Sequence, residues 1–319
     1  MTEVRTVAAI AIGLSLALLH TAAADAAPKV AVSIKPIHAL AAGVMAGAGA
    51  PELIVRGRGS EHSYALKPSE ARTLTGAQLV VWVGEPLETF LVKPLRSVSK
   101  ATRVLELLEL EGLTLLKPRE GGVWEKHGHA AKSGGHGQAH GHAHGADVDG
   151  HVWLDPDNAR IIVAALVKSL SEIDAANRAT YEKNGAALAA KLAALDAELK
   201  QQMAAIKNRP YIVFHDAYQY FEQRYGLNAV GSITVHPESK PSARRLTQIR
   251  DKLAKSAARC VFSEPQYNAA LVGTVIEGSA ARVGVLDPLG ADLPEGQEAY
   301  FTMMRNLARS LTDCLGVGS

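Results

Sequence analysis

DAANRATYEKNGAALAAKLAALDAELKQQMAAIK, Asp174 to Lys207, is the longest helical stretch of the chain and decides how the rest is read. It is rich in Ala, Leu, Lys, Glu and Gln, and Leu188, Leu192, Leu195 and Leu199 recur at three- and four-residue steps, so one face is apolar. Gly185 is its one weak point. On either side of it, short β-branched runs alternate with helical patterns.

Before it, strands are expected at Lys29 to Ile34, Leu53 to Val55 and Leu79 to Val83, with helices at Ile37 to Met45, Pro68 to Thr75 and Glu85 to Val98. After it, strands are expected at Tyr211 to Phe214, Ala229 to Ile233, Cys260 to Ser263 and Val283 to Leu286. Helices fall at Ala217 to Tyr225, Pro241 to Ser256, Ala269 to Ala281 and Glu295 to Leu315, the first ended by Gly226. This alternation implies parallel sheets covered on both faces. The expected architecture is α/β: two Rossmann-like lobes joined by one long rigid helix, with a site in the cleft between them. The division is an N-terminal lobe over 28–165, a connecting helical segment over 166–207 and a C-terminal lobe over 208–319.

Residues 1–27 read as an export signal. Arg5 precedes an apolar run from Val7 to Leu19, too short to span a bilayer, and small residues from Ala22 to Ala27 suit cleavage between Ala24 and Ala27. The mature protein is therefore expected in the periplasm. The alternative is an N-terminal lipid or membrane anchor, but no cysteine follows the apolar run to carry a lipid. In an exported chain the isolated pair Cys260 and Cys314 reads as a disulfide, with two buried free thiols as the alternative. With 319 residues, 47% apolar and 21% charged, and a formal net charge of +2, the chain gives no electrostatic reason to expect nucleic acid or an anionic membrane as partner.

The histidines are clustered. Residues 125–150 are mostly Gly, Ala and His, with too little apolar surface to repay ordering, and are expected to form a mobile loop. His127, His129, His136, His140, His142 and His144 there suit borderline metals such as zinc, copper and nickel. After this loop Asp155-Pro156 reads as an N-cap with proline at the first helical position, opening a helix to about Ile173.

In open parallel sheets ligands bind beyond the carboxyl ends of the strands. Glu61 and His62 follow the second strand, His215 follows Phe214, Asp287 follows Leu286, and His151 stands where the loop returns. Three imidazoles with a carboxylate or water make a tetrahedral zinc site. Each has a plainer alternative: a lone His is most often a hydrogen-bonded surface residue, and Asp287 before Pro288 could cap a turn. A zinc hydrolase would use the same three imidazoles with Glu61 as base. The chain has no HExxH, nucleophile elbow or phosphate-binding glycine loop to accompany it, and no enzymatic activity is expected.

Ser60-Glu61-His62-Ser63-Tyr64, Asp149-Gly150-His151-Val152-Trp153-Leu154-Asp155-Pro156 and Phe214-His215-Asp216-Ala217-Tyr218 resemble the three ligand segments of the zinc-binding components of bacterial zinc ABC importers, the ZnuA-like family. Val261-Phe262-Ser263-Glu264-Pro265-Gln266 and Leu286-Asp287-Pro288-Leu289-Gly290 are similar to later segments of that family. The resemblance runs in order along the whole mature chain and takes in the His-rich insertion and both cysteines. It implies His62, His151 and His215 as Zn2+ ligands, with Glu61 or a water in the fourth position and Asp287 as a weaker candidate. It also implies a membrane permease as partner and a monomer. Manganese- and iron-binding relatives carry glutamate at the position of His215, so a third imidazole there favours zinc. An adhesin of the same fold is the remaining alternative. His38 is taken as structural.

Overall fold

The computed structural model describes residues 27–119, 124, 148–234 and 241–316. The expected leader, apart from Ala27, and the six histidines of residues 127–144 lie outside them. Two four-stranded, all-parallel sheets organise the chain. In the first, β1 (Val30–Val32), β2 (Glu52–Leu53), β3 (Leu79–Trp82) and β4 (Arg103–Glu106) lie in the order β2-β1-β3-β4. In the second, β5 (Pro210–His215), β6 (Asn228–Thr234), β7 (Cys260–Ser263) and β8 (Arg282–Val285) lie in the order β6-β5-β7-β8. The two orders have the same pattern, and each places its first strand, β1 or β5, inside its sheet. Those inner strands are buried on both faces and read as continuous apolar runs, as parallel sheets require.

Helices α1 (Lys35–Val44), α2 (Pro68–Gly76) and α3 (Thr89–Leu95) belong to the first set. Helices α6 (Gln219–Tyr225), α7 (Ala243–Ser256), α8 (Ala270–Ile276) and α9 (Ala299–Leu315) belong to the second. Between them run α4 (Pro156–Ile173) and α5 (Arg178–Met203). The expected strands and helices are all present with shifted ends. The expected helix from Glu85 shortens to Thr89–Leu95, and β4 was not expected at all; it is an edge strand of mixed Arg-Val-Leu-Glu sequence without a buried face.

The stretch from Asp174 to Lys207 is α5 with a 3-10 turn at each end, Ala175–Asn177 and Ala204–Ile206. The Asp174 carboxylate separates it from α4, accepting from Asn177 Nδ2 at 2.8 Å and Tyr181 OH at 2.6 Å. Leu188, Leu192, Leu195 and Leu199 are buried as their spacing requires, each burial stabilising by roughly 1.5–3 kcal/mol. The helix packs on α1, α4, α6 and α9, so it is a shared spine rather than a bare strut. Gly185 has a packing reason: a Cβ there would meet Val167 Cγ2 of α4 at 2.4 Å. Gly226 ends α6 in the left-handed conformation at φ 66°.

Asp155 caps α4, accepting from the Asp157 amide at 2.9 Å, with Pro156 in the first turn. Cys260 of β7 and Cys314 of α9 form a disulfide, Cα–Cα 6.1 Å, across a sequence separation of 54. Constraining a loop of that length stabilises by about 4 kcal/mol in the chain-entropy model. Among the described residues no helix is long and apolar enough to cross a membrane.

Candidate metal centre

Four side chains from distant parts of the sequence converge beyond the carboxyl ends of the strands. His215 is the last residue of β5, in ladder register with Thr234. His151 opens the 3-10 turn Val152–Leu154, held by its backbone N–H donating to Asp149 Oδ1 at 3.0 Å. Glu61 and His62 come from the loop after β2, where the His62 amide donates to Ser60 Oγ at 3.2 Å. Glu61 Oε1 stands 3.7 Å from His62 Nε2, 3.7 Å from His151 Nε2 and 4.0 Å from His215 Nε2. His151 Nε2 and His215 Nε2 are 3.4 Å apart.

All four donor atoms lie within 4.8 Å of one another. A tetrahedron with metal–donor bonds of ~2.0–2.1 Å has edges of roughly 3.3–3.4 Å. The pair His151 and His215 already stands at that spacing, the three contacts of Glu61 exceed it by less than 1 Å, and the widest separation in the cluster exceeds it by no more than about 1.4 Å. Glu61, His151 and His215 are buried, while the His62 side chain is 24% exposed and forms the solvent side. The Glu61 oxygen that faces the imidazoles has no hydrogen-bond partner, an expensive state for a buried carboxylate unless a cation completes it.

A family model described as the zinc-uptake complex component A, periplasmic, matches residues 30–314. The chain belongs to the ZnuA family. The high-affinity zinc uptake system protein ZnuA of Brucella abortus (strain 2308) is 48% identical over 304 residues, 90% of this chain and 91% of that one. The ZnuA of Paracoccus denitrificans (strain Pd 1222) is 38% identical over 315 residues, 94% and 96% of the two chains. A crystal structure of ZnuA superposes with a TM-score of 0.75 at 26% identity, covering 91% of this chain and 99% of that one.

Within this ZnuA-family chain the cluster's electrostatics follow from its burial. Burial alone would raise the Glu61 carboxyl, but charge on His62, His215 and His151 outweighs it and holds the group down to about 2. Burial alone would lower His151; Asp149 and Glu61 overcome it and push the imidazole up to about 10. A proton on the metal-free His151 thus substitutes for the cation.

Asp287 is not brought to the cluster. Its Oδ1 accepts from Gln266 Nε2 at 2.9 Å and from the Leu289 and Gly290 amides at 3.1 and 3.0 Å, and its Oδ2 accepts from the Ala291 amide at 2.6 Å. It caps the turn that follows β8, the plainer of its two sequence readings. His38 is structural as expected, buried with Nε2 3.1 Å from Pro51 O.

Four residues had no assigned role in the sequence and matter here. Asp149 and Glu264 each hold an imidazole of the cluster, His151 Nδ1 at 2.7 Å and His215 Nδ1 at 2.7 Å. The signal for Glu264 was available: β7 neighbours β5, so the residue just past β7 must stand beside His215. Lys35 and Glu88 are the others.

Glu88 is wholly buried after β3, its Oε2 accepting from the Val83 and Gly84 amides. Burial pushes its carboxyl up to about 7. A folded-state value above the unfolded one means the protonated form is favoured by folding. Its stabilisation is complete below about 4.5 and is lost as pH rises through 7. Glu88→Gln, neutral throughout, is therefore expected to be more stable than the parent by about 3 kcal/mol at pH 8 and by under about 1 kcal/mol at pH 5. Urea unfolding of the metal-free proteins at both pH values checks this; a difference that does not change with pH contradicts it.

Proposed function

We propose that this chain captures Zn2+ in the periplasm and delivers it to the membrane permease of an ABC importer. His62, His151, His215 and Glu61 serve as the four ligands. The observation that carries the reading is the convergence of three imidazole Nε2 atoms and one carboxylate oxygen at a single buried point. Three nitrogens and one oxygen suit zinc better than manganese, which prefers oxygen. Four protein donors leave no open coordination position for an activated water, so the donor set supports binding and transport rather than hydrolysis. Zinc here is cargo.

In the same reading residues 1–27 are a cleaved leader, and the mature protein acts as a monomer. The lobes are 28–165 and 208–319, joined by 166–207. His127, His129, His136, His140, His142 and His144 gather zinc weakly near the cleft and raise its local concentration.

Zinc titration with a competing chelator, on protein purified without an affinity tag, tests the proposal. One tight equivalent is expected, with weaker equivalents that disappear when residues 126–146 are deleted while the tight one persists. Loading must expel the proton that Asp149 and Glu61 hold on His151, so tight-site affinity is expected to rise with pH between 6 and 9. Absence of a tight equivalent, or a tight equivalent whose affinity is unchanged over that range, defeats the reading.

A further inference from the structure

Two buried carboxylates outside the four-donor cluster hold its imidazoles from behind, and they do so in different ways. Asp149 uses one oxygen. Its Oδ1 accepts from the His151 backbone N–H at 3.0 Å and from His151 Nδ1 at 2.7 Å, while Oδ2 is buried with no hydrogen-bond partner. Glu264 uses two: Oε1 accepts from the His215 backbone N–H at 3.3 Å and Oε2 from His215 Nδ1 at 2.7 Å. A carboxylate can only accept, so each Nδ1 carries a proton, and Nε2 is the nitrogen of each ring left to serve as the metal donor. Both acids are buried, so water does not compete for the contacts.

We propose that Asp149 and Glu264 are positioning residues that set the tautomers of His151 and His215 for metal capture. Only Glu264 does so through a two-oxygen grip that an amide cannot reproduce. The inference rests on the ligand assignment made under Proposed function.

The difference follows from donor and acceptor counting. In Glu264→Gln one of the two positions becomes an NH2 group. If the amide oxygen stays on the His215 backbone N–H, the NH2 faces Nδ1, which must then accept. The proton moves to Nε2, where the metal should bind. If the amide flips, its NH2 opposes the backbone N–H, donor against donor. Either arrangement penalises loading. In Asp149→Asn the oxygen can remain at the Oδ1 position and serve both His151 donors, leaving the NH2 at the Oδ2 position, where no hydrogen bond is lost. The tautomer survives.

The test uses the full mature chain with Zn2+ and a chelator of known affinity, and compares Glu264→Gln, Asp149→Asn and His215→Ala with the parent. Removing an outer partner of a ligating imidazole lowers metal affinity by about 10–100-fold, and that loss is expected for Glu264→Gln. Asp149→Asn should lose less than about tenfold, the lower edge of that range. Parental affinity in Glu264→Gln, or equal losses in the two amide variants, overturns the proposal.

Long-range proton–nitrogen spectra of the zinc-loaded parent supply a readout that depends on no variant folding. Metal at Nε2 and a proton at Nδ1 of both His151 and His215 support the assignment, and metal at Nδ1 of either overturns it. Tight binding that survives His215→Ala would refute the ligand set itself. Loss in His215→Ala with parental binding in Glu264→Gln would refute only the tautomer claim.

Discussion

His215→Ala is expected to lower the affinity of the tight zinc equivalent by roughly 10²–10³-fold. Four-donor zinc sites bind with apparent free energies of about 10–16 kcal/mol, so one donor of four contributes roughly 3–4 kcal/mol. Burial puts His215 at the upper end: the ring is buried, so a replacement water would have little access from solvent. His62 is the contrasting case. Its side chain is 24% exposed, water can take its place, and His62→Ala should cost less than His215→Ala. The double variant should retain no tight equivalent. Chelator competition on the three proteins decides the matter, and tight one-to-one binding by the double variant would show that other residues hold the metal.

The parts of this molecule legible in its sequence are those governed by local periodicity. Strands rich in Val and Ile, the leucine stripe of α5, the Asp155-Pro156 helix start and the Gly226 stop each depend on neighbours within a few residues, and the structure has all of them. The convergence of His62, His151 and His215 was legible for a related reason. Each stands at a strand end or loop return, and strand ends in parallel sheets share one side. What was not legible depends on contacts across the fold. Nothing in Arg-Val-Leu-Glu marks β4 as a strand until β3 supplies its ladder. Nothing near Asp287 tells whether its carboxylate turns toward the cluster or toward the amides of its own turn. Lysine is rarely buried, so Lys35 in Lys-Pro-Ile-His reads as a surface residue; its burial follows from carbonyls more than 250 positions away.

Those carbonyls make Lys35→Met the second large expected effect, a loss of about 3 kcal/mol in unfolding free energy. Lys35 is the first residue of α1, directly beyond the carboxyl end of β1, and only 7% of it is exposed. Its Nζ donates to Gly290 O at 3.0 Å, Ala291 O at 2.6 Å and Leu293 O at 2.8 Å. The ammonium thereby spends all three donors on the segment that follows Asp287, in the half of the molecule built on the second sheet. Hydrogen bonds to charged groups contribute roughly 1.5–3 kcal/mol each, and the desolvation of the ammonium cancels part of the sum. Methionine keeps the volume and removes every donor, so the carbonyls are left to find water or stay unpaired.

The neighbouring exposed pair provides the control. Arg58 also joins the same segment, through a two-point contact with Asp292, but both side chains are more than 60% exposed. Arg58→Ala should therefore cost under about 1 kcal/mol. Comparison of the two variants by urea unfolding separates burial from mere contact, and a Lys35→Met loss no larger than that of Arg58→Ala would refute the argument. The consequence for the metal site is mechanical. Trp153 Nε1 also donates to Pro288 O at 2.8 Å, and Trp153 lies two residues past His151. With Lys35 and Trp153 both anchored to residues 288–293, the two halves are tied together beside the cluster. Lys35→Met should loosen that tie and weaken zinc binding, but by less than the removal of a ligand.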